Sequence, residues 1–284
     1  MNKLLELVAN IIQQTKIEIN FTLIEVGAES LGGKKEPFYE LLNYFPSTRI
    51  IGFEIDKDVC DKMNISAPNG VKYYPHALGR ANETRKLYIT NNPMCSSLYK
   101  PNEKLISLYQ NFEVAYLKSE TTIDTIKLDT FIDKYDIGEI DFIKIDVQGA
   151  ELDIFKGAKK SLKDVLKIVS EVEFVPHYIN QPLFGDVCKF LDEKGLMFNK
   201  FLGLAGRSLK PVIMNNDENF ASQHIWSDAV FIKNIEKFSD LNNEQLLKLS
   251  LLAATYDSID LAFYCLNIFD TKNKTDLAKK IFGH

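Results

Sequence analysis

The chain has 284 residues, 45% of them apolar and 26% charged, with a net charge of −5. That is long enough for one large α/β domain, or one domain with an appendage. The acidic balance and scattered Lys and Arg argue against nucleic acid, whose phosphates call for a basic face.

Four dispersed cysteines without a CxxC pair and four dispersed histidines argue against structural zinc. They fit free thiols in a reducing compartment. Residues 2–14 read as an amphipathic helix, with Leu4, Leu5, Val8, Ile11 and Ile12 on one side. No continuous apolar run marks a signal peptide or a membrane span, and a cytoplasmic location is the default expectation.

Strand-like segments then alternate with helical ones. The strands are expected at 21–27, 49–55, 71–78, 140–146 and 166–174, most of them nearly continuous apolar runs. Helices are expected at about 34–45, 56–64, 150–163 and 184–195. The alternation predicts a parallel, doubly wound sheet. The segment 85–90 reads as an extra strand, and 196–204 and 228–234 as two strands pairing antiparallel at a sheet edge. From about residue 240 the period is helical. The expected division is an N-terminal helix over 1–19, a core domain over 20–235 and a helical appendage over 236–284. That appendage would pack on the core or form a homodimer surface.

The stretch "LIEVGAESLGG" puts Gly27 directly after the first strand, where a nucleotide-binding fold must turn tightly. Glu54, Ile55 and Asp56 stand at the end of the second strand, where an acid can accept hydrogen bonds from ribose hydroxyls. A dinucleotide would require GxGxxG, yet the second glycine is missing and Glu29 would face the phosphates. S-adenosylmethionine carries a sulfonium and an ammonium, which Glu25 and Glu29 would attract.

The stretch "DFIKIDVQGAELDIFKGA", residues 141–158, runs from a buried strand through Asp146, Gln148 and Gly149 into an amphipathic helix. It resembles the signature of FkbM-type methyltransferases, S-adenosylmethionine-dependent O-methyltransferases. "EVGA", "GFEID", "HALG", "SSL" at 96–98, "TIKLDTFI" and "SEVEF" fall in the family's order, so the resemblance covers about 20–235. It implies a class I methyltransferase sheet, Rossmann-like and mostly parallel, with an antiparallel last strand supplied by "DAVFIKN". It also implies methyl transfer to a hydroxyl of a sugar, glycan or related small molecule. By motif position, Gly27 and Ala28 fall on the cofactor loop, Glu54 on the ribose acid, Ala77 and Leu78 near the adenine, and Asp146 beside the methyl group. Glu25 stands where the family usually has Asp, and four residues rather than three separate Gly27 from Gly32.

A weakly acidic acceptor hydroxyl calls for a general base. Asp146 is one candidate, with helix capping as its structural alternative. His177 in "VPHYINQ" is another, and Glu173 shares a strand face with Glu171 at the same edge. Lys144 reads as a structural ion-pair partner. No metal-ligand set stands out, although Asp146 with Glu173 could hold a divalent cation. Two other readings remain open: an NAD-dependent nucleotide-sugar oxidoreductase, and a cofactor-binding scaffold without catalysis.

Overall fold

The computed structural model describes residues 2–27, 35–213, 217 and 221–282. The first helix, α1 (Lys3–Gln13), starts at Asn2, whose side-chain oxygen accepts the amides of Leu4 and Leu5. That is the capping geometry that makes Asn favourable at a helix start. The strand β1 (Thr22–Val26) leads, by way of a 3-10 turn over Pro37–Glu40, to the short α2 (Leu41–Tyr44). The next unit is β2 (Arg49–Phe53), α3 (Lys57–Ser66) and β3 (Val71–Tyr74).

A small three-stranded sheet follows, formed by β4 (Ala77–Leu78), β5 (Glu83–Thr90) and β6 (Leu117–Ile126), with α4 (Glu103–Ile106) inside the β5–β6 connection. The chain re-enters the main sheet through α5 (Leu128–Tyr135), β7 (Phe142–Ile145), α6 (Glu151–Gly157), β8 (Lys167–Glu173) and α7 (Phe184–Asp192). It ends with β9 (Leu196–Phe201), β10 (Trp226–Lys233), α8 (Asn243–Thr255), α9 (Ile259–Asn273) and α10 (Leu277–Phe282).

The seven-stranded sheet has the order β3-β2-β1-β7-β8-β10-β9. The first five strands are parallel, and β10 runs antiparallel between β8 and β9. The antiparallel strand is therefore the one expected, but it lies inside the sheet and β9 takes the edge. The expected strand 71–78 breaks at Pro75 and His76, because β3 belongs to the main sheet and β4 to the small one.

Every residue of β1 and β7 is buried, which requires cover on both faces. On one face Ile24, Val26, Ile143, Ile145 and Ile168 pack against Phe131, Phe155 and Leu191 of α5, α6 and α7. On the other, Leu23, Phe142, Val169 and Val230 pack against Leu5 and Val8 of α1 and Leu249, Leu252 and Leu266 of α8 and α9. The first helix and the last ones thus form a single layer. The Asn2 side-chain amide donates to the Ala254 carbonyl at 2.9 Å, joining its two ends. No helix among the described residues is long and apolar enough to cross a membrane.

Candidate active site

In a sheet of this kind ligands bind beyond the carboxyl ends of the strands, where the strand order reverses. Here that point lies between β1 and β7. Gly27 follows β1 with a φ of +78°, and a Cβ there would stand 2.0 Å from the Asp146 carbonyl oxygen. The Asp146 amide donates to the Val26 carbonyl at 3.0 Å, so the two strand ends are stitched together at this residue. Only glycine permits so close an approach. The expected cofactor residues Ala28 and Glu29 lie outside the described residues.

Glu25 is buried two residues before Gly27 and accepts the Tyr39 hydroxyl at 2.6 Å, and Tyr39 in turn contacts the Tyr73 hydroxyl. Burial pushes Glu25 up to about 7, although the Tyr39 hydrogen bond favours its charge. Glu54 is buried past the end of β2, with its carboxylate accepting the Asp56 amide at 2.9 Å. Ile55 beside it is exposed. Ala77 and Leu78 are buried in β4, and Leu78 joins the core under β1 and β2.

The turn from β7 into α6 gathers acids. Asp146 does not cap the helix: the first residue outside α6 is Ala150, with no side-chain cap. Glu151 satisfies the turn instead, its Oε1 accepting the amides of Val147 at 2.8 Å and Gly149 at 3.2 Å. Asp146 accepts the Gln148 side-chain amide at 2.8 Å, and the same nitrogen donates to Glu171 at 2.7 Å. Single oxygens of Asp146, Glu151 and Glu171 lie within 4.8 Å of one another.

Glu173 belongs to the same electrostatic group. Burial, then the neighbouring carboxylates, push Glu171 and Glu173 well above the usual carboxylate range. Burial also raises Glu151, to about 7. Lys144 is a cation that acts on Asp146. Burial disfavours its charge, but Asp146 and Asp228 outweigh that and hold the ammonium above its ordinary range. Its Nζ donates to Asp228 at 3.0 Å, so the ion pair expected of Lys144 forms with β10 and not with Asp146.

Three loops wall the crevice. Ser97 donates to the Gln148 carbonyl at 2.6 Å, and Tyr178 donates to the Cys95 carbonyl at 2.7 Å. The Asn102 amide donates to the His177 carbonyl, and the Ile225 amide to that of Ala205. His177 is buried between Phe112 and Trp226, with ring centroids 5.0 and 6.0 Å away. Its Nε2 has no hydrogen-bond partner among the described residues. Burial lowers it to about 3, so the ring is neutral at pH 7. The structure thus brings Asp146 and Glu173 together and sets His177 in the aromatic wall. The acid cluster also contains Glu151 and the bridging Gln148, neither of which the sequence marked as functional. The signal for both was a Gln-Gly pair after an acidic strand end, two residues before a Glu.

The family described as "Methyltransferase FkbM domain" matches residues 25–196. The chain belongs to the FkbM methyltransferase family. It is therefore a methyltransferase, and S-adenosylmethionine is its cofactor. The residues fit that cation-bearing group: Glu25, Glu54 and Asp146 present carboxyl groups at the carboxyl ends of adjoining strands, around a glycine turn. Several solved structures are similar to this FkbM chain. One is a putative methyltransferase from Thermoplasma acidophilum, at 9% identity and a TM-score of 0.35, over 77% of this chain and 70% of that one. A SAM-dependent methyltransferase from Aquifex aeolicus matches at 10% and 0.30, over 79% and 89%. An uncharacterized protein from Listeria monocytogenes matches at 11% and 0.36, over 99% of both chains. A search of curated protein sequences finds no match.

Proposed function

We propose that this methyltransferase transfers its methyl group to a hydroxyl of a sugar, glycan or related small molecule. The observation that carries the reading is the group of four carboxyls, Asp146, Glu151, Glu171 and Glu173, at the ends of β7 and β8. A sugar hydroxyl is a weak acid and needs a base as its oxygen is methylated. A polyol also offers several O–H donors, which carboxylates accept well.

S-adenosylmethionine, when bound, supplies the electrophilic methyl group. In this reading Glu54 accepts the ribose hydroxyls, and Ile55, Ala77 and Leu78 line the adenine end. Glu25 and Gly27 belong to the turn beside the cationic end, and Ala28 and Glu29, next in the sequence, are assigned to the cofactor by motif position. Asp146 takes the acceptor proton. Glu173 and His177 belong to the acceptor side, and His177 is the weaker candidate base there, because burial disfavours the imidazolium it would become. Most of the acceleration would come from holding acceptor and donor in line.

The test is a methyl-transfer screen against sugar nucleotides and glycan fragments, read by mass for one added methyl. Methylation of a hydroxyl that Asp146→Asn abolishes is the expected result. Turnover only on nitrogen or sulfur acceptors would replace this reading.

A further inference from the structure

Gln148 has a φ of +57°, a left-handed backbone that a non-glycine residue rarely adopts. The surroundings must hold it there. Its carbonyl accepts Ser97 Oγ at 2.6 Å, and its side-chain oxygen lies 3.3 Å from the Tyr178 hydroxyl, whose proton goes to the closer Cys95 carbonyl. Its amide nitrogen donates to Asp146 Oδ1 at 2.8 Å and Glu171 Oε2 at 2.7 Å. Two carboxyl oxygens at 2.7 and 2.8 Å place the donating nitrogen of the amide on their side.

Both N–H donors therefore engage acids that come from two different strands. The oxygens of Asp146, Glu151 and Glu171 are spaced as ligands of one divalent cation would be. The amide nitrogen already stands between two of them.

We propose that Gln148 is a positioning residue whose two amide hydrogens take the bridging place of a cation, tying Asp146 to Glu171 and aiming the Asp146 carboxylate into the crevice. Asp146 needs such a tie because its other charged or titratable neighbours come from every side. Glu151 faces the cluster from α6, Glu171 and Glu173 from β8, Lys144 from β7, and Cys95 from the loop after β5. An acid in place of the amide would add a negative charge where two carboxyls already meet, and would call for a cation. The catalytic half of this inference rests on the reading of Asp146 as base. The charge half does not.

The experiment is run on the full chain without donor or acceptor, so its outcome is separate from that of the proposed reaction. Melting temperatures are compared with and without Mn2+ for wild type, Gln148→Glu and the double variant Q148E/E171Q. The wild type should be unmoved by the metal. Gln148→Glu should melt lower, then gain about 5 °C or more when Mn2+ exceeds its dissociation constant about a hundredfold. The double variant puts an amide back between acids and should recover without metal. A wild type that responds like Gln148→Glu would overturn the proposal, as would a Gln148→Glu that is stable and silent to Mn2+. If Gln148→Glu does not fold, the double variant decides: recovered folding supports the charge account, and failure overturns it. On an active acceptor, Gln148→Ala should slow transfer about ten- to hundredfold while donor affinity stays within about threefold. An equal loss of affinity would make its role structural.

Discussion

Strand β7 carries an aspartate at each end, and the two are treated in opposite ways. At the amino end Asp141 accepts the Thr22 amide at 2.8 Å and both of its oxygens meet the Lys248 ammonium, at 3.0 and 3.2 Å. Every oxygen of Asp141 is used, and Lys248, which also meets Glu244 at 2.8 Å, opposes the upward push of burial on Asp141 and clamps α8 to the sheet. At the carboxyl end Asp146 meets three more carboxyls, with Lys144, which pairs with Asp228, as a cation that acts on it. Burying like charges together disfavours the folded state. The amino edge is arranged for stability, and the carboxyl edge keeps proton-binding groups where a ligand would meet them.

The contrast is sharpest where a change at one edge leaves the other untouched. Gly27→Val should have the largest effect, roughly 3–5 kcal/mol of stability, because the new Cβ would strike the Asp146 carbonyl in a left-handed backbone. Urea unfolding should show a lowered midpoint, beyond any loss of cofactor binding. Lys248→Met should come next. It leaves Asp141 buried without its cation, at about 3 kcal/mol, whereas adding Asp141→Asn should recover most of the loss. Methyl transfer by both variants should be normal below their melting temperatures. A slowed reaction there would mean that the two edges are coupled.

The smallest effect, counted per pH unit, is a slope with pH. Glu151 is raised from 4.5 to about 7 in the folded chain, so the folded state binds more protons than the unfolded state across that window. Its contribution therefore weakens folding as pH rises from about 4.5 to 7, by up to about 1.4 kcal/mol per pH unit. His177 acts with the opposite sign. Lowered from 6.5 to about 3, it binds fewer protons when folded and strengthens folding as pH rises through that range. Stability curves of Glu151→Gln and His177→Phe, each subtracted from wild type, should slope in opposite directions. Curves with the same sign would show that one of the two environments is misjudged.

Sequence patterns made much of this legible. The buried strands at β1, β2, β7 and β8 read directly as apolar runs, and the glycine turn and Asp146 followed from their position at strand ends. Strand β6 did not, because "LKSETTIDTI" is polar and mostly exposed, and it is a strand through its ladders with β5 and β4. The terminal helices looked separable because periodicity shows an apolar face but not which surface covers it. Here the covering surface is the sheet itself, and the fully buried Lys167 of β8 donates to the Leu252 carbonyl of α8 at 2.8 Å. Glu151 and Gln148 were hidden for another reason. A Glu in the first turn of a helix is ordinary, and only the folded turn shows that its oxygen holds two amides beside three other acids.

The central claim is that the carboxyl edge of β1, β2 and β7 holds the methyl donor. Calorimetric titration of S-adenosylmethionine into wild type and Glu54→Ala tests it most directly. Loss of two ribose hydrogen bonds should weaken binding by about 2–3 kcal/mol, a thirty- to hundredfold rise in dissociation constant. Equal affinity in the two proteins, with both folded, would place the donor somewhere else.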